Sequence, residues 1–176
     1  MGFGNWKGLD EATAEGSRNA KLDRNGDYAC VVTAVKEVPS EKNDNEPSFV
    51  IELTVLESDN PEIRVNEDRT ITINRLTSKV EWKKRLAFGN LKGFLAAVLT
   101  DINQEPVSTE GLLDGKAEGW GNAADACTEK GMADGAKFRV KIFRKETEKS
   151  KTAAASGAST SEIEKYKFAE PSFRPY

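Results

Sequence analysis

Leu91-Lys92-Gly93-Phe94-Leu95-Ala96-Ala97-Val98-Leu99 is the stretch on which the fold turns. Its large apolar residues, Leu91, Phe94, Leu95, Val98 and Leu99, recur at i, i+3, i+4, i+7 and i+8, the stripe a helix lays on a core. A helix is predicted over about residues 85–101. Around it the chain reads as strands. Residues 28–38 form a nearly continuous β-branched run, expected of a strand contacted on both faces or strongly coiled. Phe49, Ile51, Leu53 and Val55 alternate with polar neighbours, as do Ile71 and Ile73 within residues 69–75. These are strands one to three. Ile63 and Val65 extend either neighbour.

Downstream, Phe138, Val140 and Ile142 alternate with Arg139, Lys141 and Phe143, so strand four spans residues 137–145 with a basic, aromatic outward face. Residues 146–162 are small and polar and are expected to form a mobile loop. Strand five is expected at 163–168, with Tyr166 and Phe168 toward the core and Pro171 as its stop. Residues 111–135 hold six glycines and a short helix at 123–130 capped by Gly131.

Three strands, a helix and two strands make a mainly β chain with the element order of the five-stranded Greek-key barrel that binds oligonucleotides and oligosaccharides, the OB fold. A plain β-sandwich or an α+β sheet shares that order. The expected organisation is an N-terminal arm over 1–25, one barrel domain over 26–170 with a helical and irregular insert at about 77–135, and a tail over 171–176. In the OB fold ligands lie across strands two and three, flanked by the loops joining strands one to two and four to five.

Composition narrows function. The 176 residues contain no histidine, which removes the commonest general base and metal ligand. The only cysteines, Cys30 and Cys127, are far apart, and Cys30 lies in an apolar run as a small hydrophobe. No phosphate-loop, calcium-loop or zinc spacing occurs. The expectation is a non-enzymatic protein without cofactor or metal. No stretch is long and apolar enough for a bilayer and the first residues do not resemble a signal peptide, so a soluble protein of the cytoplasm is expected. The net charge of −3 divides unevenly: residues 136–176 carry ten cations against five acids, leaving −8 on the first 135. A local positive face on an acidic molecule suits phosphate.

Binding single strands needs cations along a groove and aromatic faces for stacking. Strand four combines Arg139, Lys141 and Lys145 with Phe143; the plainer reading is a solvated strand with Phe143 beneath the loop. Lys149 and Lys151 lie in that loop, either closing over a ligand or merely solvated, and Lys165 and Lys167 extend the charge. Arg75 ends strand three. Trp82, Lys83, Lys84 and Arg85 precede the helix, as a stacking and phosphate-contact group or as a lid on the barrel end with a wet rim. Trp6 and Trp120 pack on the domain or on a neighbouring subunit.

Gly26-Asp27-Tyr28 opening a strand, Asn90-Leu91-Lys92 in the helix, and Gly135-Ala136-Lys137-Phe138-Arg139-Val140 opening strand four resemble bacteriophage single-stranded DNA-binding proteins over residues 26–170. The resemblance implies an OB-fold protein coating single-stranded DNA in replication or recombination in a host cytoplasm. RNA is left open as a ligand, and further copies of the chain or replication proteins are partners. Many such proteins end in an acidic recruiting tail, whereas this sequence ends Pro171-Ser-Phe-Arg-Pro-Tyr176. The competing expectation is a protein-interaction or assembly module using the same barrel edge.

Overall fold

A computed structural model describes residues 20–40 and 46–176. Phe3, Trp6, Leu9 and residues 41–45 lie outside the described residues. Five antiparallel strands, β1 (Gly26–Ser40), β2 (Glu46–Ser58), β3 (Asp68–Ile73), β4 (Lys137–Lys145) and β5 (Phe168–Pro175), form one sheet in the order β3-β2-β1-β4-β5. Helix α1 (Glu81–Asn103) and helix α2 (Gly119–Lys130) fill the β3–β4 connection, and α3 (Glu148–Ala155) and α4 (Thr160–Tyr166) the β4–β5 connection.

The alternations of β2, β3 and β4 become their inner faces. Phe49, Ile51, Leu53, Val55, Ile71, Ile73, Phe138, Val140 and Ile142 are all buried. Ile63 is buried in the turn between β2 and β3 and Val65 is exposed, so neither belongs to a strand. Phe94 of α1 meets Phe49, Phe138 and Phe173 at 5.9, 5.5 and 5.5 Å, edge to face. β2 and β5 are separated by two strands, about 14 Å apart in a flat sheet. Their rings meet around one side chain because the sheet curls over the helix. β1 is irregular at Ala29/Cys30 and at Val32/Ala34, and bulges of this kind bend and twist a strand.

β3 and β5 are the sheet's edges, and the curl turns them toward each other across a cleft. They do not pair. Leu22 N–H donates to Thr70 O and Thr70 N–H to Ala20 O, so the chain before β1 lies on part of the β3 edge, and Leu22 joins the core instead of belonging to a separate arm. Pro171 and Pro175 stand four residues apart on β5, so both take ladder positions whose nitrogen faces away from β4. Proline is tolerated there, and it withholds the donors that would close the seam.

Strand five is therefore displaced from its expected place. Residues 160–166 are helix α4, and the expected tail 171–176 is most of β5. A Ser-x-x-Glu start decides it: Ser159 Oγ accepts from Glu162 N–H at 3.3 Å. Tyr166 and Phe168, two apart, mimic an alternation, whereas Ile163 and Tyr166, three apart, fit a helix. The expected mobile loop is helical for the same reason. Thr147 and Ser150 form a reciprocal capping box ahead of an alanine-rich turn, and Ser150 is buried. Tyr166 and Phe168, expected inside, are half exposed. The Trp82-Lys83-Lys84-Arg85 group lies on the first turns of α1, which starts at Glu81, not before it.

Helix α2 ends on Gly131 at φ 64°, as its position predicts. Trp120 packs on the domain, donating from Nε1 to Gly111 O at 3.1 Å under Lys92. Burial pushes the Cys30 thiol up to about 12 and Cys127 to about 11. Neither thiol is expected to react with an aromatic disulfide reagent in mildly alkaline buffer, and two equivalents are expected after denaturation; rapid native labelling would contradict this packing.

Candidate nucleic-acid interface

Cross-strand register builds the outer face of β4 and β5. Directly opposed residues of antiparallel strands share a face, and the pairs are Arg139 with Arg174, Lys141 with Ser172, Phe143 with Glu170 and Lys145 with Phe168. Lys137 reaches the ring of Tyr176 at 5.1 Å, extending the row. Successive pairs stand two residues apart, so the strip from Lys137 to Lys145 is about 27 Å long. Phe143, Phe168 and Tyr176 are 43, 49 and 53% exposed along it.

The expected contacts Arg139, Lys141, Phe143 and Lys145 thus share one face, as their alternation implies. Phe168, Arg174, Tyr176 and Lys137 join them, and the sequence reading missed these four. Lys137 continues the 139-141 alternation visibly; the others were hidden because strand five was placed about five residues too early.

Several of these charges are already engaged. Arg139 lies 2.6 Å from Glu57 and 3.8 Å from Asp27, and the hydrogen bond it donates to Glu57 raises its already high pKa further. Arg174 pairs with Asp27 and Lys145 with Glu170. Lys141 has no carboxylate partner among the described residues and stands 5.0 Å over the Phe143 ring.

At its Phe168 end the strip opens into the cleft between the sheet edges. One part, about 730 Å³, is lined by Arg75, Trp82, Lys83, Leu86, Lys145 and Phe168. The other, about 720 Å³, is lined by Lys21, Arg24, Arg144, Lys165 and Lys167 among others, and the two share Thr72, Asn74, Phe168, Ala169 and Pro171. Trp82 is 65% exposed at the mouth, with Lys83 5.6 Å from its ring. Arg75 follows β3 in the left-handed conformation, φ 69°, one that non-glycine residues adopt at a cost, and has no ion pair among the described residues. The acids Glu146, Glu148 and Glu170 share its part of the cleft.

Tertiary structure therefore gathers Arg75, Trp82, Lys83 and Lys145 in one place and Lys165 and Lys167 in the adjoining one. Lys165 now belongs to α4, and Lys167 pairs with Glu164 at 2.6 Å. Lys84 and Arg85 line neither part, Lys84 covering Phe88 at 5.4 Å. Lys149 and Lys151 are exposed on α3 and not on a mobile loop, with Lys151 3.6 Å from Glu148. Arg144, almost covered, is a clasp: its guanidinium donates to Asp23 O at 3.0 Å and to Glu164 O.

The outer face of β2 and β3, where an OB fold holds its ligand, offers Val50, Glu52, Thr54, Thr70 and Thr72, and Lys36 is spent on Glu52 at 2.9 Å. It combines no cation with an aromatic ring. Among the described residues no cluster of Cys, Asp and Glu is arranged to hold a metal ion, and no helix is long and apolar enough to cross a membrane. No family model matches the chain, and no curated protein matches it.

Proposed function

We propose that this chain is a non-enzymatic single-stranded nucleic-acid-binding protein that lays its ligand along the outer face of β4 and β5. One observation carries the reading: the register sets aromatic rings and cations side by side for the length of the strip, with Trp82, Arg75 and Lys83 continuing it at the cleft. Every base has a face to stack and every nucleotide a phosphate, so such a strip binds with little sequence preference. Support for an OB-type barrel comes from β4 returning beside β1, the 4-1-2-3 order of a Greek key, and from the β3 and β5 edges turned toward each other. A role in coating strands exposed during replication or recombination of a phage genome, in a host cytoplasm, follows from the resemblance and is proposed on that ground.

Titration with oligo(dT) tests the proposal, read by tryptophan fluorescence. Trp82 reports directly, being exposed at the cleft mouth. Saturable quenching is expected, with log K falling linearly against log salt concentration. Absence of any response at low salt would sink the proposal.

A second reading has its own observation. Trp82 and Leu86, four residues apart, are exposed on one side of the first half of α1, and an assembly module would bury them in a protein contact. It predicts a stable oligomer and indifference to oligo(dT).

A further inference from the structure

Every cation of the β4–β5 strip has a partner within the chain. Arg139 is held by Glu57 at 2.6 Å and approached by Asp27 at 3.8 Å, Arg174 pairs with Asp27, and Lys145 with Glu170. Lys137 and Lys141 lie 5.1 and 5.0 Å from the rings of Tyr176 and Phe143. These partners copy the two chemical features of a nucleic acid. A carboxylate meets a guanidinium as a phosphate does, and an ammonium over a ring occupies the face on which a base would stack.

The carboxylates come from elsewhere in the sheet. Ala29 is opposed to Glu57 on one side and to Arg139 on the other, so Glu57, Ala29 and Arg139 form one row across β2, β1 and β4. Asp27 stands opposite Lys141 in a neighbouring row. Glu57 is 55% exposed and can leave the guanidinium for water without being stranded.

We infer that Glu57 and Asp27 are affinity-setting residues of the strip: a bound strand takes Arg139 and Arg174 by exchange, phosphate for carboxylate. The inference rests on the function proposed above. Each exchange costs about the worth of a surface ion pair, at most a factor of about five in affinity. A ligand offering several phosphates and bases at once repays several such exchanges; a single phosphate does not.

The test compares wild-type protein, Glu57→Gln, Asp27→Asn and Arg139→Ala, each checked for folding by circular dichroism, in oligo(dT) titrations over a range of salt. Glu57→Gln is expected to bind about 1.4- to five-fold tighter, the worth of a surface ion pair expressed as a ratio. Its salt slope is expected to equal wild type, because Arg139 meets phosphate in both. Asp27→Asn is expected to tighten binding similarly. Arg139→Ala is expected to flatten the slope by about 0.7, the single-strand value for one phosphate contact. Unchanged affinity in Glu57→Gln with an unchanged slope in Arg139→Ala overturns the inference, since the pair is then only structural. A steeper slope in Glu57→Gln also overturns it, because Arg139 would then be idle in the wild type. Failure of wild-type protein to bind oligo(dT) is a separate result and removes the proposed function instead.

Discussion

Replacing Phe94 by alanine is expected to cost about 3–5 kcal/mol of stability, the range for truncating a buried aromatic residue. The ring is fully buried and touches β2, β4 and β5 together, through Phe49, Phe138 and Phe173. Three elements would lose their shared contact at once, and the surrounding β-sheet cannot collapse into the void without uncurling. Against a total of about 5–15 kcal/mol this is a large fraction. Thermal denaturation followed by circular dichroism should show the midpoint falling by about 6–20 °C, at about 2–4 °C per kcal/mol for a chain of this size. Phe94→Leu should recover much of the loss. A shift of only a degree or two in Phe94→Ala would mean that α1 does not organise the curl.

Phe143→Ala is expected to weaken oligo(dT) binding by about 5- to 150-fold, corresponding to the roughly 1–3 kcal/mol carried by one stacked base. Its ring is 43% exposed on the outer face, so stability should change by no more than about 0.5 kcal/mol. The salt slope should stay constant, because stacking releases no counterions. Lys141→Gln separates the two contributions: it should lower the slope by about 0.7 with a smaller loss of affinity at low salt. Gel shifts with single-stranded, double-stranded and RNA probes measure both variants and the ligand preference together. Full affinity in both variants would take the strip out of the binding site.

Strands β1 to β4 and helix α1 were legible in the chain because each spans enough residues for its period to repeat. Phe49, Ile51, Leu53 and Val55 give four positions of the strand pattern, and Leu91 to Leu99 five positions of the helical one. Residues 160–175 misled because the segments are short. Tyr166 and Phe168 mimic a strand while Ile163 and Tyr166 fit a helix, and the stronger signals, the Ser159-to-Glu162 cap and the Thr147-to-Ser150 box, are capping geometry and not hydrophobicity. Pro171 reads as a stop until the strand is known to be an edge. The candidate site was half legible. Arg139, Lys141, Phe143 and Lys145 followed from alternation along one strand, whereas Phe168, Arg174 and Tyr176 needed β5 in its true register.

By itself the sequence determined which stretches alternate and which wind, which side of β4 is charged, and that the net positive charge lies in the last quarter of the chain. All of these are properties of neighbours along the backbone. Tertiary structure alone decided the partnerships: Glu57 on Arg139, 82 residues away, Asp27 on Arg174, and Trp82 with Arg75 at a cleft shared with Phe168. The physical reason is that a side chain's partner across a sheet is set by strand register and curl. Those are fixed by the packing of whole elements around Phe94, and no local pattern encodes which distant carboxylate will then lie within reach of a guanidinium.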